Sequence, residues 1–231
     1  YGIHIGISII IAVTLVAIMG SLFYRIFINP LQGKIGFTVL ITIGASIIIS
    51  GLAGIIWGKD NFYILPPLIS VSPYKLFGAI ILSQHLVVII VTVISLIILK
   101  LLFQSTMIGR AIRACAINRS LAFTVGIPVR TIVSYTFALS AALTGLCGIL
   151  ITPLFSIHYS VGMSLTIKAF AAAILGGVGN VSGSVAGGLI LGVLESLAAG
   201  LLPSGYKNAI AFSIIMIVIL LRHAGGMYEK K

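Results

Sequence analysis

Long stretches without a charged side chain constrain this chain more than any other feature. They run Ile5–Tyr24, Ile35–Trp57, Leu76–Leu99 and Thr131–Ile151. A helix rising about 1.5 Å per residue needs roughly 20 mostly apolar residues to cross the hydrocarbon core of a bilayer, and each stretch supplies them. From Gly162 to Leu221 the apolar sequence continues, interrupted by glycine and proline. It reads as three shorter segments near Met163–Leu175, Ser184–Gly200 and Lys207–Leu221. Composition agrees: 60% of the 231 residues are hydrophobic, 7% are charged, and mean hydropathy is +1.27. A soluble domain carries about 25% charge. The expected fold is therefore an all-α integral membrane protein, a polytopic helix bundle of about seven membrane segments. Residues 1–231 are expected to form one transmembrane domain.

Charge placement sets the orientation. Seven segments put the termini on opposite sides of the membrane, and cytoplasmic loops collect Lys and Arg. With the C-terminus cytoplasmic, the inner side holds Arg25, Lys34, Lys100, Arg110, Arg113, Arg119, Arg130, Arg222, Lys230 and Lys231. The outer side holds Lys59, Lys75 and Lys207, and Lys168 stays within the membrane. The net charge of +11 is thus a topology signal and calls for no nucleic acid. The only acidic residues are Asp60, Glu195 and Glu229, too few for carboxylate-pair catalysis or an acidic metal cage. Cys115 and Cys147 fall in different compartments and define no disulfide framework. The chain starts at Tyr1 without a basic leader, and its natural start is expected upstream, in a further N-terminal segment. Small residues at fourth positions (Ser46, Ser50, Gly54; Ala141, Gly145; Ser184, Gly188, Gly192) mark faces where helices can approach closely.

Three features carry functional readings. Between two spans, Ser105–Arg130 places Ile108, Ala111, Ile112, Cys115 and Ala122 at helical spacing beside Arg110, Arg113 and Arg119, and Gly126 with Pro128 stops the helix. Such a basic amphipathic helix either rests on lipid headgroups or docks a cytoplasmic protein. A glycine-rich break, Gly176, Gly177, Gly179, Asn180 and Gly183, lacks the Lys-Ser/Thr of a phosphate-binding loop and the spacing of a dinucleotide fingerprint. It is either a tight cytoplasmic turn or a pathway-lining break. Finally, Lys168 precedes Asn180 by 12 residues and Glu195 follows it by 15, so on antiparallel helices their depths differ by about one turn. A lone ion at mid-membrane costs at least about 2.5–3.5 kcal/mol. The two either pair with one another, or Glu195 bonds to neighbouring helices. Gln84-His85 near the outer end of the third span reads as structural. His158 with Ser164 lacks the orientation of a catalytic dyad, and no catalytic or metal site is expected.

The run Gly109-Arg110-Ala111-Ile112-Arg113-Ala114, then Asn118, Ala122 and Gly126-Ile127, resembles the cytoplasmic loop of branched-chain amino acid ABC transporter permeases. Asn29-Pro30-Leu31-Gln32-Gly33 and Lys168-Ala169-Phe170 are similar to further family motifs. So are Leu175 through Asn180 with Gly183, Gly187-Gly188 through Gly192 to Glu195-Ser196, and Ser204 through Ala209 leading to Phe212. The chain departs from the usual pattern at Asn29, where members carry Arg. A second departure is Arg222-His223-Ala224-Gly225-Gly226, which replaces an Arg-Pro-x-Gly pattern.

The resemblance implies a non-catalytic subunit of an ATP-driven importer in a bacterial or archaeal cytoplasmic membrane. It would pair with a second homologous permease and sit on two ATP-binding cassette subunits, which hold the ATP, so this chain needs no cofactor. An extracytoplasmic substrate-binding protein would deliver the amino-acid cargo. By matching position, Arg110, Ala111, Arg113, Ala114, Asn118, Ala122 and Gly126 belong to the ATPase-coupling segment. The alternatives are a permease for urea or short amides, an ion-coupled secondary transporter, for which only Glu195 offers a carboxylate, and a channel.

Overall fold

The computed structural model describes residues 5–31, 35–58, 74–76, 79–81, 83–154, 158–159, 161–177, 179–201 and 213. The seventh expected segment, the 204–212 motif, Gln32 to Lys34, Lys59 and the C-terminal basic residues lie outside these. The chain divides into two compact units, residues 1–158 and 159–231.

In the first unit, α1 (Ile5–Phe23) ends in a π-helical turn over Tyr24–Ile28 and a short 3-10 turn at Asn29–Leu31. Then come α2 (Ile35–Ile56), a hairpin of β1 (Tyr74–Leu76) and β2 (Ala79–Ile81), and α3 (Ser83–Ser105). Two short helices follow, α4 (Met107–Ile117) and α5 (Arg119–Thr124), before the long α6 (Val129–Ile151). The second unit contains α7 (Val161–Gly176) and α8 (Val181–Leu201). Among the described residues five helices are long and apolar enough to cross a membrane: α1 with its π turn, α2, α3, α6 and α8. The 16-residue α7 is shorter and also apolar. The third span was expected from Leu76. Antiparallel pairing of Tyr74 with Ile81 and Leu76 with Ala79 occupies that stretch instead, so the helix begins at Ser83. Pro73 and Gly78, poor helix formers, oppose a helix there.

The spine of the first unit is the antiparallel pair α1–α6. A Cβ at Gly20 would meet the Ala141 side chain and the Phe137 carbonyl, and one at Gly145 would touch Val16 at 3.4 Å. Small residues thus bring the two backbones together, as the Ala141–Gly145 stripe leads one to expect. Ser21 and Ser134 share a hydrogen bond of 3.0 Å across the pair, and the Tyr24 ring lies 5.3 Å from that of Phe137. Elsewhere hydroxyls bond back to their own helix, as Thr14 to the Ile10 carbonyl and Thr136 to the Ile132 carbonyl. That arrangement hides polar groups from lipid. Gln84, 2% exposed at the start of α3, donates to the Leu150 carbonyl near the end of α6 at 3.0 Å. This bond also fixes α3 antiparallel to α6. In the α2 stripe Ser46 is exposed, whereas Ser50 and Gly54 are half-buried.

In the second unit α7 and α8 touch along their backbones. A Cβ on Gly176 would collide with the Gly183 backbone, and one on Gly187 with the Ala172 carbonyl. Ala171 and Leu191 are buried beside them. The closest approach on α8 is therefore made by Gly183 and Gly187, with Leu191 following in the same row. Of the expected Ser184, Gly188 and Gly192 stripe, Gly188 also stands within contact, since a Cβ there would meet the Ala172 side chain at 3.7 Å. Gly192 meets no neighbouring atom within 4 Å.

Candidate functional site

Two places gather the residues singled out by sequence. The first is the α4–α5 helix pair. The expected single helix over Arg110–Gly126 is two helices, because Asn118 adopts an extended conformation (φ −153°, ψ 109°). Its backbone N–H closes α4 on the Ala114 carbonyl, while its side-chain oxygen accepts from Ser120 N and Leu121 N at 3.0 and 3.1 Å. One residue thus ends one helix and caps the next. At the other end Gly126 stands at φ +85°, with Gly126 N bonded to the Phe123 carbonyl and Ile127 N to the Ala122 carbonyl. This is the left-handed glycine stop with both its hydrogen bonds. Thr106 caps α4 by accepting from Gly109 N. Gly109 itself lies against the Leu102 and Phe103 backbone, where a Cβ would not fit. That contact makes the corner between α3 and α4 sharp.

The sequence reading placed the apolar stripe of this segment against an outside partner. The structure corrects it. Cys115 and Ala122 are buried against Ile132 of α6, with Ala111, Ile112, Ala114, Ile127 and Val129 packed around them. Only Ile108 of the stripe remains exposed, at 47%. A helical wheel shows that a stripe needs cover, and α6 of the same unit supplies it. Burial pushes the Cys115 thiol above its ordinary range, with the Arg119 guanidinium opposing the shift. Of the seven residues expected to couple, Ala111, Ala114, Asn118, Ala122 and Gly126 build and seat the element, and Arg110 and Arg113 reach solvent. Sequence reasoning missed the outward row Ile117, Leu121 and Val125, exposed at 87, 63 and 80%. The four-residue spacing of Leu121 and Val125 was the available signal, while Ile117 stands on α4, before the break at Asn118.

The second place is the α7–α8 hairpin. Gly176 and Gly183 belong to the helices, so the break itself is shorter than expected. Gly177 and Gly179 take φ +91° and +92°, which only glycine adopts freely. Asn180 N bonds the Gly177 carbonyl, and the Asn180 side chain caps α8 by accepting from Gly183 N at 3.0 Å. This geometry is that of a tight turn. Farther along the hairpin, Lys168 Nζ donates to Glu195 Oε1 at 2.5 Å, both side chains being largely shielded. Glu195 continues the Gly183–Gly187–Leu191 row at the same spacing. Gly176 meets Gly183 and Ala172 meets Gly187, so Lys168 stands about one turn from the level of Glu195. Its long side chain spans that offset.

These elements define a class: a multi-pass membrane protein of close-packed antiparallel helices, with a basic helix pair at one end of its first unit. The chain belongs to the family described as branched-chain amino acid transport system / permease component, whose match covers residues 2–221. It is 30% identical over 220 residues to the high-affinity branched-chain amino acid transport system permease protein LivH of Salmonella typhimurium, covering 93% of this chain and 71% of that protein. BraD of Pseudomonas aeruginosa, a permease protein of the same named system, is 34% identical over 149 residues, 64% of this chain and 48% of its own length. A probable branched-chain amino acid transport permease protein of Methanocaldococcus jannaschii is 38% identical over 137 residues, 57% and 44% of the two chains. No solved structure matches.

Proposed function

We propose that this chain is the non-catalytic transmembrane subunit of an ATP-driven importer of branched-chain amino acids, acting with a second permease, two ATP-binding cassette subunits and an extracytoplasmic binding protein. ATP is bound and hydrolysed by the partner subunits, and the C-terminus faces the cytoplasm of a bacterial or archaeal cell. The names of its relatives support the cargo, and the family match across both units supports reading residues 1–231 as one permease domain. Arg25, Arg110, Arg113, Arg119 and Arg130 gather at one end of the first unit, which supports that end as cytoplasmic. An ion-coupled transporter would need a carboxylate free to exchange its ion, and Glu195 is held by Lys168.

The observation that carries the coupling role is the exposed row Ile117, Leu121 and Val125 on a helix pair seated firmly on α6. Apolar side chains standing off a basic surface offer a partner burial, and the tight seat turns movement of the partner into tilting of α3 and α6. Leu121→Glu tests this in the assembled transporter. Uptake should fall at least tenfold, with the amount of folded permease unchanged. Full uptake with the ATPase still bound would remove the row from the coupling surface.

A further inference from the structure

A groove of about 930 Å³ opens beside the helix pair, and Ile117, Leu121 and Val125 are not among its lining residues. Its walls come from the π turn after α1 (Tyr24, Ile28), from α5 (Arg119, Phe123) and from the start of α6 (Val129, Arg130). Arg119 and Arg130 are both exposed, and among the described residues neither has a carboxylate partner. Two cations facing one groove repel each other unless an anion lies between them. The third and fourth peptide N–H groups of α6 turn back to the Pro128 carbonyl, and Pro128 contributes no side-chain cap, so the helix start adds positive potential. The same groove has an apolar wall of Ile28, Phe123 and Val129. It sits where α1 leaves, and α6 enters, its membrane span. A small soluble anion would use the arginines and leave the apolar wall wet. An amphiphile with a phosphate head uses both.

We propose that this groove binds an anionic phospholipid of the adjacent leaflet, its phosphate between Arg119 and Arg130 and its glycerol and upper acyl carbons against Ile28, Phe123 and Val129. Basic pockets at the ends of membrane helices hold lipid headgroups by this chemistry.

The test uses the full chain in neutral detergent, titrated with phosphatidylglycerol or with phosphatidylcholine of the same acyl chains, reading the shift in unfolding temperature. Phosphatidylglycerol should raise it saturably, and phosphatidylcholine should do so weakly or not at all. Arg119→Gln and Arg130→Gln should each weaken the apparent affinity about fivefold and together roughly 30-fold. The double Lys variant, which keeps the charges, should retain most of the response. Arg113→Gln, which removes a charge outside the groove, should leave the response intact. Equal responses to the two lipids, or an unaltered response in the double Gln variant, would overturn the proposal. So would inorganic phosphate alone reproducing the shift at equal concentration, which would assign a free-anion site. Loss of ATPase binding with the lipid response unchanged would also overturn it, assigning the groove to the protein partner.

Discussion

Lys168 and Glu195 show how far counting residues can reach. Their spacing about Asn180 placed them within one turn of each other, and the structure joins them at 2.5 Å. The pair is part-buried, and breaking it strands the survivor at a cost of up to about 3–5 kcal/mol, the figure for a fully buried pair. Lys168→Met and Glu195→Gln should each lower the yield of folded protein in detergent, and the double variant should recover much of it. Single losses that simply add would show that the pair is not coupled. Ala122 teaches the opposite lesson. Sequence periodicity placed it on an apolar stripe but carried no information on what covered that stripe, and it is 5% exposed against Ile132. Ala122→Glu forces a carboxylate into that cluster without a partner. It should cost more than about 2 kcal/mol and lower the unfolding temperature, whereas Leu121→Glu, one position earlier, should leave it nearly unchanged.

At the scale of elements, the apolar runs located the described spans other than the third to within a few residues, because lipid demands length and leaves helices to satisfy the backbone. Two boundaries escaped. The β1–β2 hairpin took the first residues of the expected third span, and Asn118 divided the cytoplasmic segment. An asparagine inside an apolar periodicity reads equally well as a solvent-facing residue and as a cap, and only the bonds to Ser120 N and Leu121 N distinguish them. The closest face of α8 lies one residue from the expected stripe because adjacent glycines, Gly187 and Gly188, make two faces look equally small. The structure chooses Gly187, whose absent side chain admits the Ala172 carbonyl. Gly187→Val should separate the two helices and destabilise the hairpin by about 1–3 kcal/mol, while Gly192→Val, at a position open to its surroundings, should be nearly neutral. Comparing the unfolding temperatures of the two variants checks the register.

At the scale of the molecule, the proposed orientation rests on charge asymmetry, with the arginines of the first unit collected at the end assigned to the cytoplasm. Single cysteines replacing Lys59 and Arg119, on a background lacking Cys115 and Cys147, should react with an impermeant reagent from opposite faces of sealed vesicles. Labelling of both from one face would contradict the seven-segment arrangement. What composition could not convey is the cargo, because an apolar bundle records the lipid it sits in far more fully than the solute it passes. The proposed cargo rests on the ordered family motifs and on the names of the relatives. The central claim, an ATP-driven amino-acid permease, is tested most directly by transport. Proteoliposomes containing this chain, its partner permease and the ATPases, with the binding protein outside and ATP inside, should accumulate radiolabelled leucine. Accumulation should stop without ATP or binding protein and persist when ionophores collapse ion gradients. Uptake that needs an ion gradient and ignores ATP would contradict the account.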